Sequence, residues 1–265
     1  NYILSQMTET GVNYANALAD AQKQGFAEAD PTNDVCGFDA ARKLAILSSI
    51  GFRANVTFDD VLVEGIEKID KSDIQYAKDM GYTIKLLTVA LRQENGIALN
   101  VYPAFLPDNH PLSSVKGAYN AIYVTGNIVD DVMFYGRGAG ALPTASAVMG
   151  DVISTAQHIL NGSTGTGMIM TDTKRIPFYS SLKLQNSYYF RLDVDDVTGV
   201  LSQIAAAFAE NDISICEVVQ KRKTKGLAEL VLITELASRE SILQVEKGLH
   251  VLPCMRKVAN VIRVM

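Results

Sequence analysis

With 265 residues, 48% of them hydrophobic and 20% charged, the chain is long enough for one or two domains with real cores. A net charge of −5, with no compensating basic cluster, argues against a nucleic-acid surface. No apolar run approaches the ~20 residues of a membrane span, and no signal peptide opens the sequence. Cys36, Cys216 and Cys254 are sparse, odd in number and far apart, which suggests free thiols in a reducing cytoplasm rather than disulfides. The histidines form no HxxxH or HxxE cluster, so no metal site is expected.

Residues 2–8 and 12–24 read as two helices parted by Thr8-Glu9-Thr10-Gly11. The second carries a stripe of Ala15, Leu18, Ala19 and Gln22, and Gly25 is placed as its C-terminal cap. EADPTNDVCGFDAARK (28–43) then gathers Glu28, Asp30, Asp34 and Asp39 with Arg42 and Lys43. Its first half reads as loop, because the residue before Pro31 is pushed out of the helical region. After Gly37 the positions Phe38, Ala41, Leu44, Ala45 and Leu47 recur at helical spacing. Asp39 falls in the first turn, where a negative charge suits the helix dipole. Lys43 leaves the same face four residues later. Spacing leaves two readings open: an exposed ion pair worth about 0.2–0.5 kcal/mol, or carboxylates converging on a ligand's ammonium group beside a lysine that handles a proton.

A further segment opens at 57–61, and 70–81 reads as a short helix with Ser72 or Asp73 near its start. Residues 82–90 read as a buried strand, in which Lys85 must find a partner or snorkel to solvent. Residues 97–105 form another strand, with Pro103 restricting its pairing. His110 reads as a turn residue rather than a catalyst. The runs 121–125 and 132–135 flank Gly126-Asn127 as a β-hairpin. In YGRGAGALPTASAV (135–148), Gly136, Gly138 and Gly140 permit close backbone approach before a helix that begins near Pro143-Thr144 and ends near 160. Such a turn either offers free N–H groups to an anion or makes a tight connection.

NGSTGTG (161–167) has linker composition. The boundaries expected are a first domain at 1–162, a linker at 163–186 and a second domain at 187–265. The second domain opens on the alternating strand YYFRLDV. A helix at 198–211, strands at 213–220 and 227–235, a helix at 238–249 and a strand at 258–264 follow, in the βαββαβ order of a ferredoxin-like fold. The basic run Lys221-Arg222-Lys223 with Lys225 reads as a solvated hairpin loop.

The blocks NYILSQM (1–7), AQKQGFAEADPTNDVCGFDAARKLAIL (21–47), EGI (64–66), IKLL (84–87), HPL (110–112), NAI (120–122) and YGRGAGALPTASAVMGD (135–151) together resemble the catalytic domain of the homoserine dehydrogenase family. DDVTGVLSQIAAAFAENDISI (195–215) resembles the ACT domain, a small amino-acid-sensing module, with Thr198 where many ACT domains carry proline. The resemblance implies an α+β fold, a mixed-sheet catalytic domain followed by a ferredoxin-like ACT domain. It implies an oxidoreductase of threonine, methionine and isoleucine biosynthesis, interconverting L-homoserine and L-aspartate 4-semialdehyde with NADP or NAD. In that setting Lys43 is the proton donor and acceptor. Glu28 and Asp39 hold the substrate ammonium, with Asp34 in the same acidic wall. Gly25, Gly138 and Gly140 face the cofactor, and Lys85 lies near the active region. Gly199, Asn211 and Ile213 are candidates for an effector site that takes an amino acid such as L-threonine. The family also implies a nucleotide-binding domain that holds most of the cofactor. No strand followed by GxGxxG stands here, so the sequence is expected to be part of a longer enzyme and inactive alone. A cytoplasmic homodimer or homotetramer is expected. The alternative is a non-catalytic amino-acid sensor, with residues 1–160 as a dimerising scaffold for the ACT module.

Overall fold

A computed structural model describes residues 1–164, 176–224 and 226–265. The chain opens with α1 (Tyr2–Thr10), α2 (Tyr14–Lys23), the one-turn α3 (Thr32–Val35) and α4 (Phe38–Phe52). Asn13 starts α2 by accepting the Asn16 N–H at 2.9 Å. Gly25, at φ +75, ends it, with the Gly25 N–H donating to Gln22 O and the Phe26 N–H to Ala21 O. Those two bonds are the Schellman pattern, which needs a residue tolerant of positive φ. The expected loop at 28–37 therefore holds one helical turn, α3, before Gly37 caps α4 at φ +81.

Next come β1 (Leu62–Val63), α5 (Lys71–Asp79), β2 (Tyr82–Gln93) and β3 (Gly96–Pro107). Asp70 and Asp73 form a reciprocal capping box at the start of α5. The hairpin β4 (Tyr119–Gly126) and β5 (Asp130–Arg137) leads into α6 (Ala141–Leu160), which begins two residues before the expected Pro143. The last part holds β6 (Gln185–Asp195), α7 (Val200–Ala209), β7 (Ile215–Thr224), β8 (Leu227–Thr234), β9 (Ala237–Ser238), α8 (Arg239–His250) and β10 (Met255–Val264).

Among the described residues one sheet runs β2–β3–β10–β6–β8–β7, with β1 sharing the β10 side of β3. The order β10–β6–β8–β7, antiparallel throughout, is the ferredoxin-like plan read from the sequence. What the sequence did not signal is the parallel seam between Arg263–Val264 of β10 and Ala104–Phe105 of β3. It makes the two halves one sheet. Pro103 fits this seam. Ile97, Val101 and Phe105 turn their polar backbone groups away from β2, so by the alternation of a strand the missing Pro103 N–H points the same way. That is the gap between the partners of β1 (100–101) and of β10 (104–105).

β6 is buried on both faces. Tyr188, Phe190, Leu192 and Val194 pack under α7 and α8 with Ile204, Phe208, Ile242 and Leu249. Tyr189 faces the other way, into a core shared with Ile3, Leu4, Met7, Ile74, Ile84 and Phe105. The helices of the first half thus cover the back of the ACT-like sheet.

Several expectations need correction. β2 is the edge strand and is half-buried, with only Ile84 and Lys85 fully buried; the fully buried strand is β3, which has neighbours on both sides. The basic run is not a loop: Lys221, Arg222 and Lys223 lie in β7 opposite β8. Lys221 spreads over the Tyr76 ring at 4.4 Å, while Lys225 lies outside the described residues. Of the expected linker, 165–175 lie outside the described residues as well. Farther on, Ile97 N–H donates to Pro177 O at 3.0 Å and Tyr179 N–H to Ile97 O at 2.8 Å, which holds that stretch along β3.

Candidate active site

The acidic stretch is held from three sides. From α2, the Gln22 side-chain amide donates to the carbonyls of Glu28 and Ala29 at 3.0 and 3.1 Å. From α4, Arg42 Nη1 donates to Asn33 Oδ1 at 3.0 Å. Within the loop, the Glu28 N–H reaches Asp34 Oδ2 at 3.4 Å, and Asp30 caps the turn by accepting from the Thr32 hydroxyl and N–H. The open end of α4 then presents Asp39 and Lys43 as an ion pair, Nζ to Oδ2 at 2.6 Å. Side-chain exposures of 48% for Asp39 and 65% for Lys43 place that pair at an open surface, where by itself it adds little stability.

The Asn1 side chain donates to the carbonyls of Val115, Gly117 and Tyr119, fastening the start of α1 to the root of β4.

Lys85 is 6% exposed. Its ammonium donates to Val115 O at 2.5 Å, with Asn1 Oδ1 at 3.5 Å. Among the described residues it has no carboxylate partner. Burial, then the charge of Lys116, lowers its pKa from 10.5 to about 8, with Glu9 opposing. A lysine whose folded pKa is depressed sheds its proton more readily folded than unfolded. Between pH 8 and 10.5 the unfolded chain holds the extra proton, so the Lys85 contribution makes stability rise with pH across that window. Urea midpoints at both ends of the window should show that rise relative to Lys85→Met. Identical pH slopes for the two proteins would contradict it.

The glycines expected on the cofactor side differ in what they do. Gly138 abuts the Asn120 side chain so tightly that a Cβ would stand 2.1 Å from Nδ2. Gly140, at φ +117, starts α6 with no side-chain cap and no acid in the first turn. Those free N–H groups fit an anion. Gly25 is the C-terminal cap of α2, which leaves its place on the cofactor side as an expectation of the resemblance. His110 is a turn residue, its Nδ1 accepting the Leu112 N–H at 3.2 Å. An open groove of about 650 Å³ runs along another face of α4, past Ile46, Ile50 and Phe58. It is mostly apolar, with Arg42 in its wall, and neither Asp39 nor Lys43 lines it.

In the ACT-like part, Gly199 lines a cavity of about 200 Å³ with Val200, Leu201, Gln220 and Leu230. The N-terminus of α7 above it has no side-chain cap. Asn211 caps the far end of the same helix by donating to Ala207 O at 2.9 Å, and Ile213 is core. A helix of this length separates Gly199 from that pair by roughly 15 Å within one chain.

Gln22 and Asn1 are supports that sequence reasoning passed over. Gln22 looked like part of an amphipathic stripe, and polar side chains that bond to distant backbone leave no periodic signal.

A family model described as homoserine dehydrogenase matches residues 1–153, and one described as ACT domain matches residues 188–254. The homoserine dehydrogenase of Mycobacterium tuberculosis is 42% identical, covering 99% of this chain and 62% of its own length. That of Bacillus subtilis is 39% identical over all of this chain and 61% of its own length. The chain thus spans about 62% of the length of such relatives. Among solved structures, a homoserine dehydrogenase from Thiobacillus denitrificans superposes with a TM-score of 0.92 at 34% identity, covering 100% of this chain and 61% of that one. With its catalytic-domain match running through the acidic loop, α4 and the start of α6, the chain belongs to the homoserine dehydrogenase family and carries an ACT domain.

Proposed function

We propose that this chain is the substrate-binding and regulatory portion of a homoserine dehydrogenase, which interconverts L-homoserine and L-aspartate 4-semialdehyde. The observations that carry the reading are the Asp39–Lys43 pair at 2.6 Å on α4 and, on the stretch leading into that helix, the Asp34 carboxylate that accepts from the Glu28 N–H. Glu28, Asp34 and Asp39 grip the substrate ammonium by charge-assisted hydrogen bonds, which fix its orientation. As an ammonium, Lys43 gives a proton to the developing alkoxide during reduction, and as the neutral amine left behind it takes the hydroxyl proton during oxidation. Asp39 aims Lys43 through the ion pair. A nicotinamide cofactor, NADP or NAD, supplies the hydride chemistry when bound. Gly138 and Gly140 would sit against it, the free N–H groups of α6 suiting an anionic or carbonyl group.

The cavity at Gly199 supports an amino-acid effector such as L-threonine, with its carboxylate on the N-terminus of α7. α6 buries none of its residues among those described. Phe134 and Tyr135 on β5 are exposed as well, and so many uncovered apolar side chains support a homodimer or homotetramer.

The direct test is the full-length protein assayed with homoserine, and with 4-hydroxybutyrate, which keeps the alcohol and lacks the amine. Rapid reduction of the nicotinamide with homoserine and hardly any with the analogue supports the proposal. Equal rates would refute an acidic wall that recognises the ammonium group.

A further inference from the structure

Arg263, near the end of β10, is 4% exposed and grips Glu64 with both terminal nitrogens. Nη1 donates to Oε2 at 2.9 Å and Nη2 to Oε1 at 3.0 Å. Its guanidinium lies over the Tyr102 ring at 4.1 Å. A second arginine of the ACT half, Arg239 at the start of α8, stands 3.8 Å from Glu64 Oε1. Burial alone would raise the Glu64 pKa; hydrogen bonds from Arg263 and the nearby positive charges override it and hold the carboxyl below its usual range. Glu64 is thus a charged carboxylate that two elements of the ACT half clamp.

The residues after Glu64 carry that clamp to the acidic loop. Gly65 lies so close to the loop that a Cβ would stand 2.4 Å from Val35 O and 2.6 Å from Cys36 Cα. The Ile66 N–H donates to Val35 O at 2.9 Å. Val35 follows Asp34 directly. Gly37, which opens α4 at φ +81, is wedged against Val101 and Val63, where a Cβ would meet their methyl groups at 3.0 and 3.2 Å. The Glu64 N–H itself donates to Val101 O at 2.7 Å. The backbone of 64–66 is therefore pinned between β3 and the loop that carries Asp34.

We infer that Arg263 is a positioning residue for the substrate site: by fixing Glu64 it seats Gly65 and Ile66 against Val35 and Cys36, and so sets the place of Asp34 and the start of α4. The last strand of the ACT half is then structural support for the homoserine site, whatever the effector cavity binds. This rests on the reading of Asp34, Asp39 and Lys43 given above. It explains a three-residue segment, Glu64-Gly65-Ile66, whose first residue meets β3 and the ACT half and whose next two meet the end of α3, with none proposed to touch substrate.

Two readouts test it. In the present chain, Arg263→Met should speed hydrogen exchange of the Ile66 amide selectively, while the Ile204 amide in α7 keeps its protection; Glu64→Gln, which keeps the shape and removes the charge, should act the same way. In the full-length enzyme, Arg263→Met should raise KM for homoserine about tenfold and leave kcat within about twofold, the pattern of lost binding alignment rather than lost chemistry. Arg263→Lys, which keeps one charged contact, should recover part of the KM. Unchanged exchange at Ile66, or equal acceleration at Ile204, overturns the inference regardless of the kinetics. So does selective loosening at Ile66 with an unmoved KM. Failure of the catalytic reading shows separately, as wild-type turnover in Lys43→Ala.

Discussion

In the full-length enzyme, Lys43→Ala should lower turnover by about 10²–10⁴-fold, the range for losing a positioned acid–base group. KM for homoserine should move only a few-fold, because the ammonium contacts proposed for Glu28, Asp34 and Asp39 do not pass through the lysine. The expectation follows from geometry. Lys43 is the cation paired with Asp39 at 2.6 Å. The buried cation, Lys85, is taken up by Val115 O. Steady-state kinetics in both directions measures the effect, and because the same group serves oxidation and reduction both should fall together. A variant that keeps wild-type turnover removes Lys43 from the mechanism.

The second large effect lies in stability. Asp73, at the start of α5, is fully buried. It accepts from Arg191 Nε at 2.7 Å, Arg191 Nη2 at 3.3 Å, Tyr189 OH at 3.1 Å, Asn260 Nδ2 at 2.7 Å and the Asp70 N–H at 3.0 Å. Arg191 and Glu229 project from neighbouring strands of the ACT sheet toward α5, with Nη1 and Oε2 3.4 Å apart, and Tyr76 of α5 donates to Glu229 at 2.9 Å. Burial would lower the Arg191 pKa, but the Asp73 carboxylate more than offsets this and keeps it above its usual value. Burial first, then the Asp73 charge, push Tyr189 up, so it stays a donor. Asp73→Ala would leave a guanidinium buried with incomplete pairing, at a cost of about 3–5 kcal/mol. At about 2–4 °C per kcal/mol that is a fall in Tm of roughly 10 °C. Replacing both partners, as in Asp73→Leu with Arg191→Met, should be much less harmful than the single change, since no uncompensated charge remains. Urea unfolding of the variants gives the comparison. A loss of under about 1 kcal/mol in Asp73→Ala would mean the network adds no more than an exposed pair does.

These two sites differ in how far the sequence disclosed them. Asp39 and Lys43 are four apart on one helix, so local geometry alone brings them together, and the structure pairs them. The ferredoxin-like plan was equally legible. In YYFRLDV the alternate residues Tyr188, Phe190 and Leu192 fill one core, and the strand and helix periods around it are regular. Asp73 and Arg191 lie 118 residues apart, and nothing local says that α5 will cover the back of that sheet. The seam of β10 on β3 is likewise a long-range pairing of two short stretches. Lys85 was visible as an oddity within an apolar run, yet its burial beneath Val115 depends on where the turn after β3 returns. The basic run misled for a physical reason as well. Lys221 can sit in a strand because its side chain spreads over Tyr76 and its ammonium stands 3.7 Å from Asp79, a partner supplied by a different part of the chain.

The most direct measurement is a crystal structure of the full-length protein with homoserine bound. The account predicts the ammonium group within hydrogen-bond reach of at least two of Glu28, Asp34 and Asp39, and the hydroxyl roughly 2.6–3.2 Å from Lys43 Nζ. Homoserine bound with its hydroxyl away from Lys43, or its ammonium facing none of those carboxylates, would contradict it.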